Sequence, residues 1–145
     1  IYGKGGEQEN LQELIDTLGA NDYIKLRGHA DLRDVYPQYE LYVTTSQWET
    51  FGLTLMEAVG AGLALVGFDA RYGNPTFIKD GENGYLVPSS ETMDENLLVS
   101  QMADKIVFAL ESDLESMHQA SYDLAKQYLK PEILEAWRKL LIAIR

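Results

Sequence analysis

From Ile1 to Val87, short β-favouring runs alternate with segments of helical period, and this alternation limits the fold more than any other feature of the chain. Ile1-Tyr2, Tyr23–Arg27, Leu41–Thr44, Ala64–Phe68 and Tyr85–Val87 read as strands. Between them Leu11, Leu14, Ile15 and Leu18 mark a helix that Gly19 ends, and Asp31 caps a short helix through Tyr36 that Pro37 closes. A further helix opens at Phe51, and a short one spans Asn74 to Ile78. Such an order predicts an α/β domain: a Rossmann-like, doubly wound parallel sheet with helices on both faces. Right-handed connections bring the strand-to-helix loops to one edge, where ligands bind. Gly3 and Gly5, Gly28-His29, Glu49 and Gly73-Asn74 all fall on such loops.

Past the polar, turn-rich stretch Pro88–Glu95, helical spacing recurs at Leu97, Met102, Ile106 and Leu110, then at Leu114, Met117, Ser121 and Leu124. A last set, Ile133, Trp137, Leu140 and Leu141, follows Pro131 at a helix start. These predict a helical C-terminal tail whose apolar stripes are core. The 145 residues, 46% of them hydrophobic, suffice for one compact domain over residues 1–145. That domain opens at Ile1 in what reads as the end of a strand, so the expectation is a piece of a larger, two-domain protein.

Absence of cysteine excludes disulfides and thiolate metal sites from this chain. A net charge of −11 argues against a nucleic-acid partner, whose phosphates need a basic face. Glu91, Asp94, Glu95, Asp104, Glu111, Asp113 and Glu115 crowd the region after Pro88 and read as a solvated acidic face.

The chemistry concentrates in Ser46–Ala58, where Glu49 on a loop and Glu57 on a helix flank Gly52. A rise of about 1.5 Å per helical residue puts them at most roughly 12 Å apart, too far to share a proton and suited to gripping two ends of one elongated ligand. Carboxylates accept from adjacent hydroxyls, so the diols of a ribose or hexose are natural targets. Among Leu55, Met56, Ala58 and Val59, a buried Glu57 would need a hydrogen-bonding partner such as a ligand hydroxyl. Gly52 permits close backbone approach, while Phe51, Gly52, Leu53 and Thr54 supply the N–H groups of a helix start, and Thr54 a hydroxyl, to a phosphate or sugar oxygen. The plain alternative makes Glu49 a helix cap and Glu57 a salt-bridged surface residue.

Gly3-x-Gly5 lacks the third glycine of a dinucleotide fingerprint, Gln8 standing in its place, so a tight turn competes with a nucleotide-binding role. His29 lies at a predicted strand end open to the ligand edge, or is an ordinary turn histidine; His118 is assigned to the surface. Neither histidine has a partner at metal-ligand spacing, so no metal and no other cofactor is expected. Asp80-Gly81 and Asn83-Gly84 read as turns of positive φ before a strand.

The Glu49–Glu57 frame in Glu-Thr-Phe-Gly-Leu-Thr-Leu-Met-Glu-Ala, the earlier Leu-Arg-Gly-His and the later Asp-Gly-Glu-Asn-Gly-Tyr-Leu-Val resemble the C-terminal, donor-binding domain of GT-B retaining glycosyltransferases of family 4. Within it, Gly-Phe-Asp and Tyr-Gly-Asn-x-Thr-Phe-Ile are most similar to the bacterial accessory Sec system enzymes that begin O-glycosylation of serine-rich repeat adhesins, and next to teichoic acid glycosyltransferases. The resemblance implies a metal-independent transfer of N-acetylglucosamine or glucose from a UDP-sugar to a protein Ser/Thr or a teichoic acid. It makes Glu49 the catalytic candidate on the donor sugar's hydroxyls, Glu57 the ribose-binding residue, and the Phe51–Thr54 backbone the contact to sugar and phosphate. It also implies an N-terminal acceptor domain ahead of Ile1 with the Arg and Lys that neutralise the diphosphate, little activity in this chain alone, a partner subunit, and a cytoplasmic location that extends to the inner face of the membrane. Thr50, Ala64, Tyr72 and Thr76 stand where the family pattern has Gly, Pro, Gly and Glu. A GT-B-like partner protein that binds carbohydrate or a client protein without turnover is the alternative.

Overall fold

The computed structural model describes residues 1–90 and 92–144; Glu91, placed above on the acidic face, and Arg145 lie outside the described residues. The chain divides into two compact units, Ile1–Val35 and Tyr36–Arg145.

In the first unit, α1 spans Gln8–Thr17, and Gly19 beyond it takes a φ of +62°, the left-handed conformation that ends a helix. Tyr23–Arg27 is not a strand. Tyr23 and Ile24 N–H both donate to Ala20 O in a turn, and the rest pairs with Ile1–Gly3 through Arg27 N–H to Ile1 O at 2.8 Å, continued by Gly3 N–H to Gly28 O at 2.8 Å and one parallel bridge between Tyr2 and Gly28, a pairing too short to make a ladder. Asp31 does cap, accepting from Arg33 N–H, but the turn it starts is a 3-10 turn over Leu32–Asp34.

The second unit opens with another 3-10 turn, Tyr36–Gln38, so Pro37 sits inside a helical turn and does not close one. Early in a helical turn the amide has no partner to lose, and proline is tolerated there. Three parallel strands follow: β1 (Leu41–Thr44), β2 (Ala64–Phe68) and β3 (Gly84–Val87), ordered β1-β2-β3 with Leu41 beside Ala64 and Leu65 beside Gly84. The helices are α2 (Leu53–Gly60), α3 (Gly73–Phe77), α4 (Glu95–Leu110), α5 (Leu114–Ala125) and α6 (Lys130–Ala143). All five residues of β2 are buried, the continuous apolar run required of a central strand covered on both faces. Val66 and Phe68 pack with Val87 against Leu98, Met102 and Ala109 of α4. Toward the opposite face, a Cβ on Gly67 would meet Thr44 and Ile78, and α2 and α5 pack on each other and on β2. The layering is the α/β, Rossmann-like arrangement with a helical C-terminal end.

Ser121 of α5 anchors this packing, its buried Oγ donating to Leu63 O at 2.6 Å and accepting from Asn83 Nδ2 at 3.2 Å. Asn83 is therefore not a positive-φ turn residue: its Oδ1 accepts from Lys79 N–H at 2.7 Å, and of the two turn dipeptides only Gly81 has positive φ, +78°. His118 is half-buried, and its Nε2 lies 2.8 Å from Glu40 O. The apolar stripes of the tail divide: Met102, Met117, Ser121 and Leu124 are buried, whereas Leu97, Leu110 and the α6 residues Ile133, Trp137, Leu140 and Leu141 are exposed. Periodicity shows that α6 has an apolar side but not that anything covers it. Asp94, Glu95, Asp104, Glu111, Asp113 and Glu115 are exposed, as a solvated acidic face requires. Among the described residues no helix is long and apolar enough to cross a membrane.

Candidate functional site

The loop from Thr44 to Gly52 leaves the C-terminal end of β1 and is tied to the loop leaving β2. Glu49 N–H donates to Arg71 O at 3.3 Å, and Glu49 O accepts from Gly73 N–H at 2.8 Å, the two segments pairing in parallel. Two glycines flank the half-buried Glu49. A Cβ on Gly73 would come within 2.6 Å of the Glu49 Cγ and 2.5 Å of Phe51 O, and one on Gly52 within 3.3 Å of the same Cγ. Gly52 has φ +88° and is the N-cap of α2, with no side chain capping that helix, so Glu49 is not a cap. The first helical bond is Met56 N–H to Gly52 O at 2.9 Å, leaving the N–H groups of Leu53, Thr54 and Leu55 without intrahelical acceptors. Leu53 and Thr54 are exposed, and the Phe51 ring packs edge-on against Phe77 at 5.4 Å, holding the loop down on α3.

Glu57 differs from expectation. Leu55, Ala58 and Val59 turn into the core, and Glu57, on the other side of α2, is exposed and not enclosed by apolar side chains. Among the described residues its partner is no cation: the Tyr36 hydroxyl donates to Glu57 Oε2 at 3.2 Å and lies 3.3 Å from Thr54 O. The Tyr36 ring is buried and leans on Tyr42, centroids 6.2 Å apart, and the Tyr42 hydroxyl donates to Thr54 Oγ1 at 2.9 Å. Burial, with the nearby Glu57 carboxylate next in importance, pushes the Tyr36 phenol well above its usual range, and burial also raises Tyr42. Both remain protonated donors at neutral pH.

Asn74 completes the floor. Fully buried, it donates from Nδ2 to Phe68 O at 2.7 Å and, more weakly, to Ser46 O at 3.5 Å, joining the two loops, while its Oδ1 is buried without a partner. Beside it a depression of about 420 Å³ is lined by Gln47, Trp48, Asp69, Arg71 and Ser89, residues that follow all three strands. The site thus occupies the sheet edge at which α/β folds bind ligands. Within the first unit, Gly3 is bonded to Gly28, and the exposed His29 follows; Gly5 O accepts from Gln8 N–H at 3.4 Å as α1 begins, beside a depression of about 490 Å³. Among the described residues no three His, Asp or Glu side chains are grouped to hold a metal ion.

Tyr36, Tyr42 and Asn74 escaped sequence reasoning as side chains of the site. The one available signal was Asn74 on a strand-to-helix loop; a tyrosine in a strand or before a proline announces nothing.

Residues 1–126 match the family described as glycosyl transferases group 1. The chain belongs to this glycosyltransferase family. It is 50% identical over its whole length to the UDP-N-acetylglucosamine–peptide N-acetylglucosaminyltransferase GtfA subunit of Streptococcus gordonii, of which it covers 29%. Against the poly(ribitol-phosphate) α-N-acetylglucosaminyltransferase of Staphylococcus aureus it is 31% identical, over 97% of this chain and 28% of that protein. The pneumococcal O-GlcNAc transferase GtfA, solved with UDP and GlcNAc, superposes with a TM-score of 0.91 at 51% identity, covering 99% of this chain and 29% of that one. This glycosyltransferase chain therefore spans less than a third of the length of each of these three relatives.

Where it departs from the family pattern, the structure gives a reason at Ala64 and shows the contacts of Tyr72 and Thr76. Ala64 N–H donates to Glu40 O at 3.1 Å, a bond that proline could not make. Tyr72 is exposed and bonded through its backbone to Glu49, and Thr76 Oγ1 donates to Tyr72 O at 2.8 Å. Nothing in the structure explains Thr50, which is exposed.

Proposed function

We propose that this chain is the donor-binding part of a UDP-sugar-dependent, retaining glycosyltransferase that transfers N-acetylglucosamine to serine or threonine of an acceptor protein. The observation that carries the proposal is the placement of Glu49 between Gly52 and Gly73, with the unsatisfied N–H groups of α2 next to it and Glu57 one turn further on. A carboxylate so held can accept from sugar hydroxyls, the helix start suits a diphosphate, and Glu57 suits a ribose diol. The bond from the anomeric carbon to UDP breaks and the acceptor oxygen attacks from the same face, its hydroxyl proton passing to the departing diphosphate oxygen, so no covalent nucleophile is assigned here. The departing diphosphate draws its cationic partners from an N-terminal domain, which also carries the acceptor site. Such a reaction needs no metal and belongs in the cytoplasm, at the inner face of the membrane. The S. gordonii relative is named as a subunit, which favours a partner subunit for this protein as well.

Full-length protein incubated with radiolabelled UDP-N-acetylglucosamine is expected to label a Ser/Thr-rich peptide. Label on poly(ribitol phosphate) in its place would move the assignment to the teichoic acid acceptor, and UDP binding without transfer to either would favour the non-catalytic partner protein.

A further inference from the structure

Neither Thr54 nor Glu57 stands alone on α2. Tyr42 gives its only proton to Thr54 Oγ1, and a hydroxyl that has accepted one bond keeps its own proton to donate and is the stronger donor for it. Tyr36 shares its proton between Glu57 Oε2, at 3.2 Å, and Thr54 O, at 3.3 Å, and so ties the carboxylate to the start of α2 with Oε1 uncommitted to it. Tyr36 is itself immobilised by burial and by the Tyr42 ring.

We propose that Tyr36 and Tyr42 are positioning residues of the α2 start: Tyr42, by donating to Thr54 Oγ1, leaves the Thr54 hydroxyl as a donor beside the helix-start N–H groups, where a phosphate oxygen is the best acceptor, and Tyr36 holds Glu57 for a ribose diol. The two tyrosines thus divide one ligand between them, the phosphate end governed by Tyr42 and the nucleoside end by Tyr36. This rests on the donor-site reading above, and the probes below separate the two.

UDP, 2′-deoxy-UDP and uridine are titrated into full-length protein by calorimetry, uridine by competition. One hydrogen bond is worth about 1 kcal/mol, which is about fivefold in affinity. Tyr42→Phe is expected to weaken UDP about fivefold and leave uridine unchanged. Tyr36→Phe is expected to weaken UDP and uridine alike and to shrink the gap between UDP and 2′-deoxy-UDP. Thr54→Val should reproduce the Tyr42→Phe loss, and the double variant Tyr42→Phe/Thr54→Val should lose no more than either alone, a cycle that a general loss of structure would not close. Equal weakening of UDP and uridine by Tyr42→Phe, an undiminished deoxy gap in Tyr36→Phe, or additive losses in the cycle would overturn the proposal while leaving the donor site standing. No UDP binding by the unaltered protein would overturn both.

Discussion

Gly73 lies against the stem of Glu49, so close that a Cβ in its place would be 2.6 Å from the Glu49 Cγ and 2.5 Å from the Phe51 carbonyl oxygen. One of these neighbours is backbone and the other is the stem of a residue whose own backbone is bonded to Arg71 and Gly73, so neither yields easily. Gly73→Ala is therefore expected to shift the Glu49 loop, costing about 1–3 kcal/mol in stability as overpacking does, and to weaken UDP-sugar binding beyond its effect on melting. Thermal melts paired with calorimetric titration check it; a variant as stable as the parent, with unchanged affinity, would show that the loop absorbs a methyl group freely.

Ser121 joins α5 to the Leu63 carbonyl and to Asn83, all in the interior of the second unit. Ser121→Ala leaves an acceptor and a donor behind without their partner, for which about 1–3 kcal/mol is the ordinary cost. Urea unfolding should register that loss with UDP affinity unaltered until the protein unfolds, because Ser121 touches no part of the site.

Asp31 contributes to the pH dependence of the first unit, alongside Asp16, whose carboxyl the Asn21 and Gln12 amides also hold down. Hydrogen bonds from the Arg33 side chain, first, and the Arg33 backbone hold its carboxyl down to about 2, from a usual value of 3.8. A carboxyl lowered on folding contributes stability that is present above the usual value and is lost as pH falls from there through about 2. The pair is exposed, so salt should weaken it. Carbon-13 NMR titration of the Asp31 carboxyl is expected to give a midpoint near 2, and Arg33→Gln to bring it back toward 3.8.

What the sequence made legible, and what it hid, follows from the distance over which each feature is determined. The apolar run Ala64–Phe68 announces a central buried strand, and Leu41–Thr44 followed by Gly52 announces strand, turn and helix; each is settled within a dozen residues or fewer. The Glu49 loop and the exposed start of α2 were readable for the same reason. Tyr36 and Glu57 are separated by 21 positions, and Asn83 and Ser121 by 38, so no local pattern reveals either bond. Asn83-Gly84 carries the same dipeptide signal as a positive-φ turn, yet tertiary partners for the Asn83 amide decide its conformation. Tyr23–Arg27 has the alternation of a strand, but its first residues turn back onto Ala20 O and the rest meets the short segment Ile1–Gly3. The α6 stripe shows the same limit from the other direction, since period identifies a face and says nothing of a partner.

The central claim, that Glu49 is held by Gly52 and Gly73 to act on the donor sugar, is tested most directly by the transfer rate of full-length Glu49→Gln with UDP-N-acetylglucosamine. Glutamine keeps the stem between the two glycines and removes the charge. The expected result is a fall in kcat of at least about a hundredfold, the scale seen when an electrostatic contact made in the transition state is removed, with UDP affinity unchanged. Transfer at the parental rate would contradict the assignment of Glu49.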